Sequence, residues 1–288
     1  MEQAVRAIGQ NFTHMGAKDP RLDAHGNIDF RLARQLQSYS KADPPPSRVK
    51  PVPIQVLYNV AQNAAAANEP KSQAVSDVIV LGFYFLLRPG KYSHSPQAST
   101  PFRLQDVSFS VSHRQVRADR ATANDLRHAT FVCLTFTTQK NGVRGEVIGL
   151  GLSGHPQLCP VKAAIRRVLH LKVHQSAPDT PLSTYYTPDG INAVTPSDIT
   201  ATLRHSVRSM GTTLGIHPNE VSARSLRPAG AMALLCAQVD SDKIRLLGRW
   251  RSDEMLRYLH VQAQPVMQRF AQRMLQSSNY TMLPSAHP

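Results

Sequence analysis

The residues of this chain best suited to chemistry are cations grouped at the ends of predicted helices and strands. Arg224 and Arg227 lie three positions apart at the predicted N-terminus of a helix, where Ser225 is placed to cap it and Pro228 fits the first turn. The free N–H groups of a helix start attract anions, and an arginine fork matches phosphate. Two cations at the positive end of a helix oppose its dipole, which favours anion binding over a structural role.

Two further cations are placed where they can reach a ligand lying over the domain. Arg88 follows the apolar run 78–87 and precedes Pro89. Taken alone, it fits better as a C-terminal arginine that complements a helix dipole. Lys140 lies at the predicted tip of a hairpin and, taken alone, fits better as a solvated turn lysine.

A tryptophan flanked by arginines precedes the last candidate residue. Arg249 and Trp250 come before Ser252, which begins a predicted helix that holds Tyr258, and Trp250 is the only tryptophan of the chain. Taken alone, Tyr258 fits better as a core tyrosine with a satisfied hydroxyl group. Placed next to a bound phosphate, the same hydroxyl group is a candidate nucleophile.

The histidines and cysteines do not predict a metal site. His170 and His174 are four residues apart, as are His155 and Cys159, but neither pair has a recognisable third ligand. No phosphate-binding glycine loop, dinucleotide fingerprint or nucleophile-elbow serine is present. The shortage of acidic residues also disfavours a two-metal nuclease. We therefore expect neither a metal nor a cofactor.

The elements that must position these residues are predicted as helices, then a small antiparallel sheet, then helices, which is an α+β fold, mainly helical. Residues 1–50 are polar and end in three prolines, and we interpret them as a linker or the remnant of an upstream domain. Residues 51–276 form the domain, and 277–288 a disordered tail. One predicted helix starts at residue 54. Further predicted helices cover 71–87, 160–174, 196–214, 225–238, 240–248, 252–261 and 263–276. Predicted strands cover 106–111, 131–136 and 143–152, with a loop at 176–195 and a hairpin turn at Asn141-Gly142.

The charge of the whole chain points to a polyanionic partner. The 288 residues include 33 Lys and Arg against 19 Asp and Glu, which gives a net charge of +14 and a pI of about 10.1. Three scattered cysteines do not make a disulfide framework, and they fit a reducing compartment. The longest apolar run is about half the ~20 residues that a membrane span needs, so we expect no membrane partner.

Taken in order, these cationic segments resemble the catalytic domain of the tyrosine recombinase, or phage integrase, family. Residues 85–90 and 225–230 are similar to its two arginine boxes, and residues 247–260 resemble its closing box with the nucleophile. The style is like that of eukaryotic mobile-element recombinases such as those of Crypton-type elements. The match covers about residues 50–276, and residues 1–50 then correspond to the end of the family's N-terminal core-binding domain.

The resemblance implies a metal-free recombination and integration reaction on double-stranded DNA. Tyr258 attacks the scissile phosphate and forms a 3′-phosphotyrosine link, Arg88 and Arg227 clamp the phosphate, and Lys140 protonates the leaving 5′-hydroxyl group. The family's closing His or Trp corresponds to Arg249 by ungapped spacing, or to Trp250 if the turn shifts by one residue. The resemblance also implies a homo-oligomer, a tetramer on DNA, and an intracellular location, the nucleus if the chain is eukaryotic.

Three positions depart from the family's pattern, and each adds positive charge. Lys91 stands where a bracing carboxylate is usual, Arg224 where His or Lys is usual, and Arg249 where His or Trp is usual. Arginine donates to phosphate but does not accept a proton at ordinary pH. Two alternatives to an active recombinase therefore stay open, namely a weakened or inactive recombinase-derived DNA-binding module and a basic protein for RNA or chromatin.

Overall fold

The computed structural model describes residues 2–42, 49–95, 100–137 and 145–250. The chain divides into two units, Met1–Arg48 and Val49–Pro288. The predicted helices 252–261 and 263–276, the tail, Lys140 and Tyr258 lie outside the described residues.

The first unit contains two helices that the polar composition of this region did not predict. They are α1 (Glu2–His14) and α2 (Phe30–Ala42). Asp19 and Arg21, in the turn between them, form an ion pair of 2.6 Å. The apolar side chains of α1 are exposed, Ile8 and Phe12 among them, and their spacing of four residues is the helical signal.

The second unit confirms the predicted α+β class. Its described helices are α3 (Ile54–Ala67), α4 (Pro70–Tyr84), α5 (Pro89–Tyr92), α6 (Ala123–Arg127), α7 (Pro160–Val173), α8 (Pro196–Ser209), α9 (Leu226–Cys236) and α10 (Ser241–Gly248). Its described strands are β1 (Val107–Val111), β2 (Arg114–Arg117), β3 (Phe131–Phe136), β4 (Glu146–Gly151), β5 (Thr184–Thr187) and β6 (Gly190–Ala193).

The four-stranded sheet is antiparallel throughout, in the order β2-β1-β3-β4. The predicted pairing of β3 with β4 is confirmed, and Phe136 at the end of β3 lies opposite Glu146 at the start of β4. The predicted turn between them lies outside the described residues. Strand β2 was not predicted because it is short and polar, and the predicted loop 176–195 contains the β5–β6 hairpin.

Helix α4 is the centre of the helical core. Ten consecutive residues from Ala74 to Phe83 are buried, so neighbours cover the helix on every side. Apolar side chains of α3, α7, α8 and the sheet pack into the same core. One carboxylate, Asp77, is buried in α4 and forms an ion pair of 2.6 Å with Arg166 of α7.

The end of α4 differs from the prediction in a way that matters for the site. The helix was expected to reach Leu87, but it ends at Tyr84, and Leu86 adopts a left-handed conformation with φ of 51°. The N–H of Leu87 then donates to the Gly82 carbonyl at 2.9 Å, the six-to-one bond of a Schellman helix end. Pro89 begins α5 immediately afterwards, so Arg88 lies between two helices.

Helix α9 packs against this helix end through Gly230. A Cβ atom at Gly230 would overlap the carbonyl oxygen of Phe83 and the side chain of Leu86. The carbonyl belongs to the last turn of a buried helix and has no room to move. The approach of α9 to α4 therefore requires glycine at this position.

We expect Gly230→Ala to lower the free energy of unfolding by about 2–3 kcal/mol, because overpacking forces the two helices apart. Urea denaturation measures the change, with an unchanged denaturant dependence. The control is Gly151→Ala in β4, where the added Cβ would meet its nearest atom at 3.6 Å, an ordinary contact. Equal stability losses in the two variants would contradict this account of α9 packing.

Candidate functional site

The candidate site is centred on the main-chain carbonyl of Leu86. Arg227 Nη1 donates to this oxygen at 2.8 Å, and Arg249 Nη2 lies 3.4 Å from it. The left-handed turn at Leu86 directs the carbonyl out of the helical ladder of α4, where both guanidinium groups reach it. Residues separated by more than 140 positions in the chain therefore meet at one acceptor atom.

Arg227 is the buried member of the group, with 5 % of its surface exposed. It is the second residue of α9, and its Nη2 atom donates to the Gly248 carbonyl at 2.6 Å. Its Cζ atom lies 4.1 Å from the centroid of the Trp250 ring, within cation–π range. Arg227 thus joins the start of α9 to the ends of α4 and α10.

Arg249 occupies the left-handed C-cap of α10, with φ of 56°. It donates from Nη1 to Leu247 O at 2.8 Å and from Nη2 to Phe85 O at 3.3 Å, and its Cζ atom lies 4.0 Å from the centroid of the Phe136 ring. Burial lowers the pKa of Arg249 to about 10; Glu146 opposes this shift and the positive charge of Arg88 adds to it. Arg249 remains a cation at neutral pH and lies within electrostatic reach of Arg88.

Arg88 and Arg224 are the exposed members of the group. Tyr92 of α5 donates its hydroxyl to the Ala223 carbonyl at 2.5 Å, which ties the helix that follows Arg88 to the residue before Arg224. Burial raises the pKa of Tyr92, so the hydroxyl stays protonated and keeps this bond. Within the described residues, neither Arg88, Arg224 nor Arg249 forms an ion pair with a carboxylate.

The turn before α9 differs from the prediction. Ser225 stands at the N-cap position of α9, but its hydroxyl does not cap the helix. A short 3₁₀ turn precedes α9, and Ser222 caps that turn by accepting from the N–H of Arg224 at 3.2 Å. Arg224 is therefore held at an exposed turn, whereas Arg227, three residues later, points into the core.

Lys91 adds a further positive charge to this region. It is half-buried, and its Nζ donates to the Thr100 carbonyl at 3.2 Å. Burial lowers the pKa of Lys91; Asp106 opposes this shift, while Arg103 and Arg249 add to it. The position that a bracing carboxylate would occupy in the resembled family is thus positively charged and close to Arg249.

Five of the seven site residues predicted from the sequence are described, and they lie at the ends of neighbouring helices. They are Arg88, Arg224, Arg227, Arg249 and Trp250. Lys140 and Tyr258 lie outside the described residues; of the elements that flank them, β3 ends next to Arg249 and α10 ends at Gly248.

Two contributors to the site were missed from the sequence. The Leu86 carbonyl is a main-chain group, and leucine gives no signal for a left-handed turn. Phe136 forms the platform for the Arg249 guanidinium, and an aromatic residue at the end of a predicted strand looks like any core residue.

The predicted histidine pair has a structural use. His170 Nε2 accepts from the N–H of Tyr186 at 3.1 Å, and His174 stacks on the Tyr186 ring with centroids 4.2 Å apart. Across the described ranges, no group of three or more His, Cys, Asp or Glu residues is arranged to hold a metal ion. Within the same ranges, no helix has the length and apolar character needed to cross a membrane.

No protein-family model matches this chain, and no curated protein matches it. The fold and the site together define an α+β domain with arginines gathered at the meeting point of three helix ends.

We expect Arg227→Gln to lower the free energy of unfolding by about 3 kcal/mol, because it removes the charged donor of the buried Gly248 carbonyl and the closer of the two charged donors of the Leu86 carbonyl. Trp250 is the sole tryptophan and is 8 % exposed, so its fluorescence should shift to longer wavelength as Arg227 leaves its face. Denaturation followed by tryptophan emission measures both effects. Arg224→Gln, which removes the same charge from an exposed position, should change stability by less than about 0.5 kcal/mol.

A second prediction concerns the pH dependence of stability. Burial lowers the pKa of His170 to about 4, with Arg167 and His174 adding to the shift, against an ordinary value of 6.5. The unfolded chain therefore takes up a proton below pH 6.5 that the folded chain refuses, and stability is lost as the pH falls from 6.5 towards 4. We expect His170→Gln to remove about 1–2 kcal/mol of the loss between pH 6.5 and 4.5, as measured by urea denaturation. Parallel pH profiles for the two proteins would exclude His170 as the source.

Proposed function

We propose that this domain binds double-stranded DNA and breaks and rejoins its strands as a site-specific recombinase of the tyrosine type. The observation that most directly supports this is the shared acceptor at Leu86. Arg227 and Arg249 come from the second and third segments that resemble the family's boxes, and both contact the carbonyl of the first segment. A purely accidental match of cationic segments gives no reason for them to converge.

The way the arginines are held supports phosphate as their ligand. The hydrogen-bond partners described for Arg249 are main-chain carbonyls, which are neutral, and Glu146 acts on its charge without forming an ion pair with it in the described part of the chain. Arg88 and Arg224 are exposed and remain available to a ligand at the surface. Negative charge grows on the nonbridging oxygens as a phosphodiester is cleaved, and fixed cations in a poorly solvated site stabilise it.

The proposed reaction needs no metal and no nucleotide cofactor. The Tyr258 hydroxyl attacks the scissile phosphorus and releases its proton to solvent, the new Oη–P bond forms as the P–O5′ bond breaks, and Lys140 gives a proton to the departing 5′-oxygen. Attack by a free 5′-hydroxyl group on the phosphotyrosine reverses these steps and rejoins a strand. The roles of Lys140 and Tyr258 derive from the family resemblance alone.

The resemblance implies that Arg88 and Arg227 clamp the phosphate. Arg227, however, is buried, with its Nη atoms bonded to the Leu86 and Gly248 carbonyls. In this proposal Arg88 and Arg224 therefore contact the phosphate, and Arg227 supports them.

The proposed partners follow from the same resemblance. Double-stranded DNA is the substrate, and a tetramer is the proposed assembly on paired sites. The proposed location is intracellular, and the nucleus in a eukaryote. The substrate and the assembly both require that the chain binds duplex DNA, so both assignments fail if it does not.

A second candidate function, DNA binding without turnover, is favoured by a specific observation. Lys91, Arg224 and Arg249 are all cationic at the positions where the family has a brace, a base or an aromatic donor. With a pKa near 10, Arg249 does not accept a proton at neutral pH. The described part of the site therefore holds phosphate better than it moves protons.

Covalent trapping separates the two functions. The full chain is incubated with a nicked duplex that releases a short fragment on cleavage, and the product is resolved under denaturing conditions. We expect a protein–DNA adduct that Tyr258→Phe abolishes without changing duplex affinity, because the phenyl ring lacks only the nucleophilic oxygen. Arg88→Ala should lower the adduct yield at least about 100-fold through loss of a charge-stabilising donor.

The outcomes are distinct. Duplex binding without any adduct supports the second candidate and removes the first. An adduct that survives Tyr258→Phe excludes Tyr258 as the nucleophile. If Arg88→Ala and Arg227→Lys both keep the wild-type duplex affinity and adduct yield, the arginine site itself is excluded.

A further inference from the structure

A second cationic surface lies on the outer strand of the sheet. A groove of about 600 Å³ runs along β2 and is lined by Arg114, Arg117, Arg120, Thr122 and Asp125. We name it the β2 groove. None of these residues belongs to the segments assigned to the proposed cleavage site.

The arginines of the β2 groove face outward, whereas the carboxylates that pair with them face inward. Arg114 pairs with Asp125 at 2.9 Å with their side chains 69 % and 13 % exposed. Arg117 pairs with Asp119 at 2.8 Å with side chains 49 % and 11 % exposed. Each carboxylate therefore holds one edge of a guanidinium group and leaves its other edge towards solvent. Surface pairs of this kind contribute little to stability. The three arginines Arg114, Arg117 and Arg120 outnumber the two carboxylates, so a net positive charge remains for a polyanion.

The position of the groove relates it to the proposed cleavage site. Arg117 lies opposite Ser108 of β1, at the same end of the sheet as Phe136 of β3. Its side chain shares a face with Cys133, whereas the Phe136 ring, on which the Arg249 guanidinium lies, is on the other face. Two strand spacings, roughly 10 Å, separate β2 from β3. A duplex has about one charge per 1.7 Å of its axis, so a duplex that crosses this end of the sheet can present phosphates to both places.

We propose that the β2 groove is a second DNA contact, which binds the phosphate backbone beside the scissile phosphate and fixes the position of the duplex. The choice of duplex DNA as its ligand rests on the proposed function. Contacts to phosphate position a protein on DNA without reading its sequence, and the forked guanidinium group suits them.

The composition of the groove favours DNA over an acidic peptide. β2 is an edge strand within the described sheet, and an acidic peptide strand added there would need pockets for its alternate side chains. Val116 is the sole apolar residue among those described as lining the groove, and it is half-buried on the core side. The exposed surface thus offers charge and hydrogen-bond donors without such pockets.

The test measures duplex affinity against salt concentration. The full chain is titrated onto a fluorescent duplex of about 30 base pairs and arbitrary sequence, and the logarithm of affinity is plotted against the logarithm of salt. The first variant is the double substitution Arg117→Gln/Arg120→Gln. The second is the single substitution Arg120→Glu, which leaves the described ion pairs of the groove untouched. The charge-matched control is Lys162→Gln/Arg208→Gln, at exposed positions on α7 and α8.

We expect the double groove variant to bind about tenfold more weakly or worse near 0.1 M salt, with a salt slope shallower by about 2, because two phosphate contacts are lost. Arg120→Glu should weaken binding while melting at the wild-type temperature, and the control should change the slope by less than half as much. Unchanged affinity and slope in both groove variants overturn the proposal. The proposal is also overturned if a groove variant binds DNA normally but no longer binds a poly-glutamate peptide.

The test also separates this proposal from the proposed function. If the wild-type chain forms no covalent adduct but the groove variants still lose affinity and slope, the groove contacts DNA and the recombinase assignment fails. If the adduct forms and the groove variants match wild type in affinity, slope and adduct yield, the assignment stands and the groove proposal fails.

Discussion

The left-handed backbone at Leu86 is the constraint on which the rest of the site depends. A leucine in this conformation carries a steric cost of about 1–2 kcal/mol, which a glycine would avoid. Its side chain, however, is fully buried with Ile244 and Trp250 in a small cluster beneath α9 and α10. Burial of a leucine contributes about 1.5–3 kcal/mol and offsets the strain. The same residue therefore ends α4, anchors the cluster and presents a carbonyl to two arginines.

Two buried charges of the chain have partners of different kinds, and this difference concerns the ligand that the site can bind. At Asp77, a buried carboxylate pairs with Arg166, whose side chain is partly exposed, and the two opposite charges offset each other. At Leu86, the Arg249 guanidinium is instead held by neutral carbonyls and the face of Phe136. Retaining a cation in a partly desolvated place is unfavourable unless an anion completes it, and burial accordingly lowers the pKa of Arg249. A site that keeps its charge in this way is suited to an anionic ligand.

The sequence was informative where local chemistry and the fold agree. Helix 160–173 was predicted nearly to the residue because Pro160 and helical periodicity act together, and β3 was found because its apolar side is buried. Strand β2 was not found, since an edge strand of polar residues has no periodic signal. The convergence at Leu86 could not be predicted, because it depends on a main-chain atom and on the approach of α9 at Gly230. The cations were thus identifiable from the sequence, and their common acceptor was not.

Arg249 and Trp250 are the two alternatives for the closing His or Trp of the resembled family, and the structure gives them different surroundings. Trp250 lies beneath Arg227 in the buried cluster, where it positions a guanidinium group. Arg249 is within electrostatic reach of the exposed Arg88. In the proposed function, its charge therefore acts on the bound phosphate. Trp250 therefore has a supporting role, and Arg249 has an electrostatic role. In the proposed function, an arginine in place of an imidazole strengthens attraction for phosphate and removes a proton acceptor, so DNA affinity and turnover are separable in that proposal.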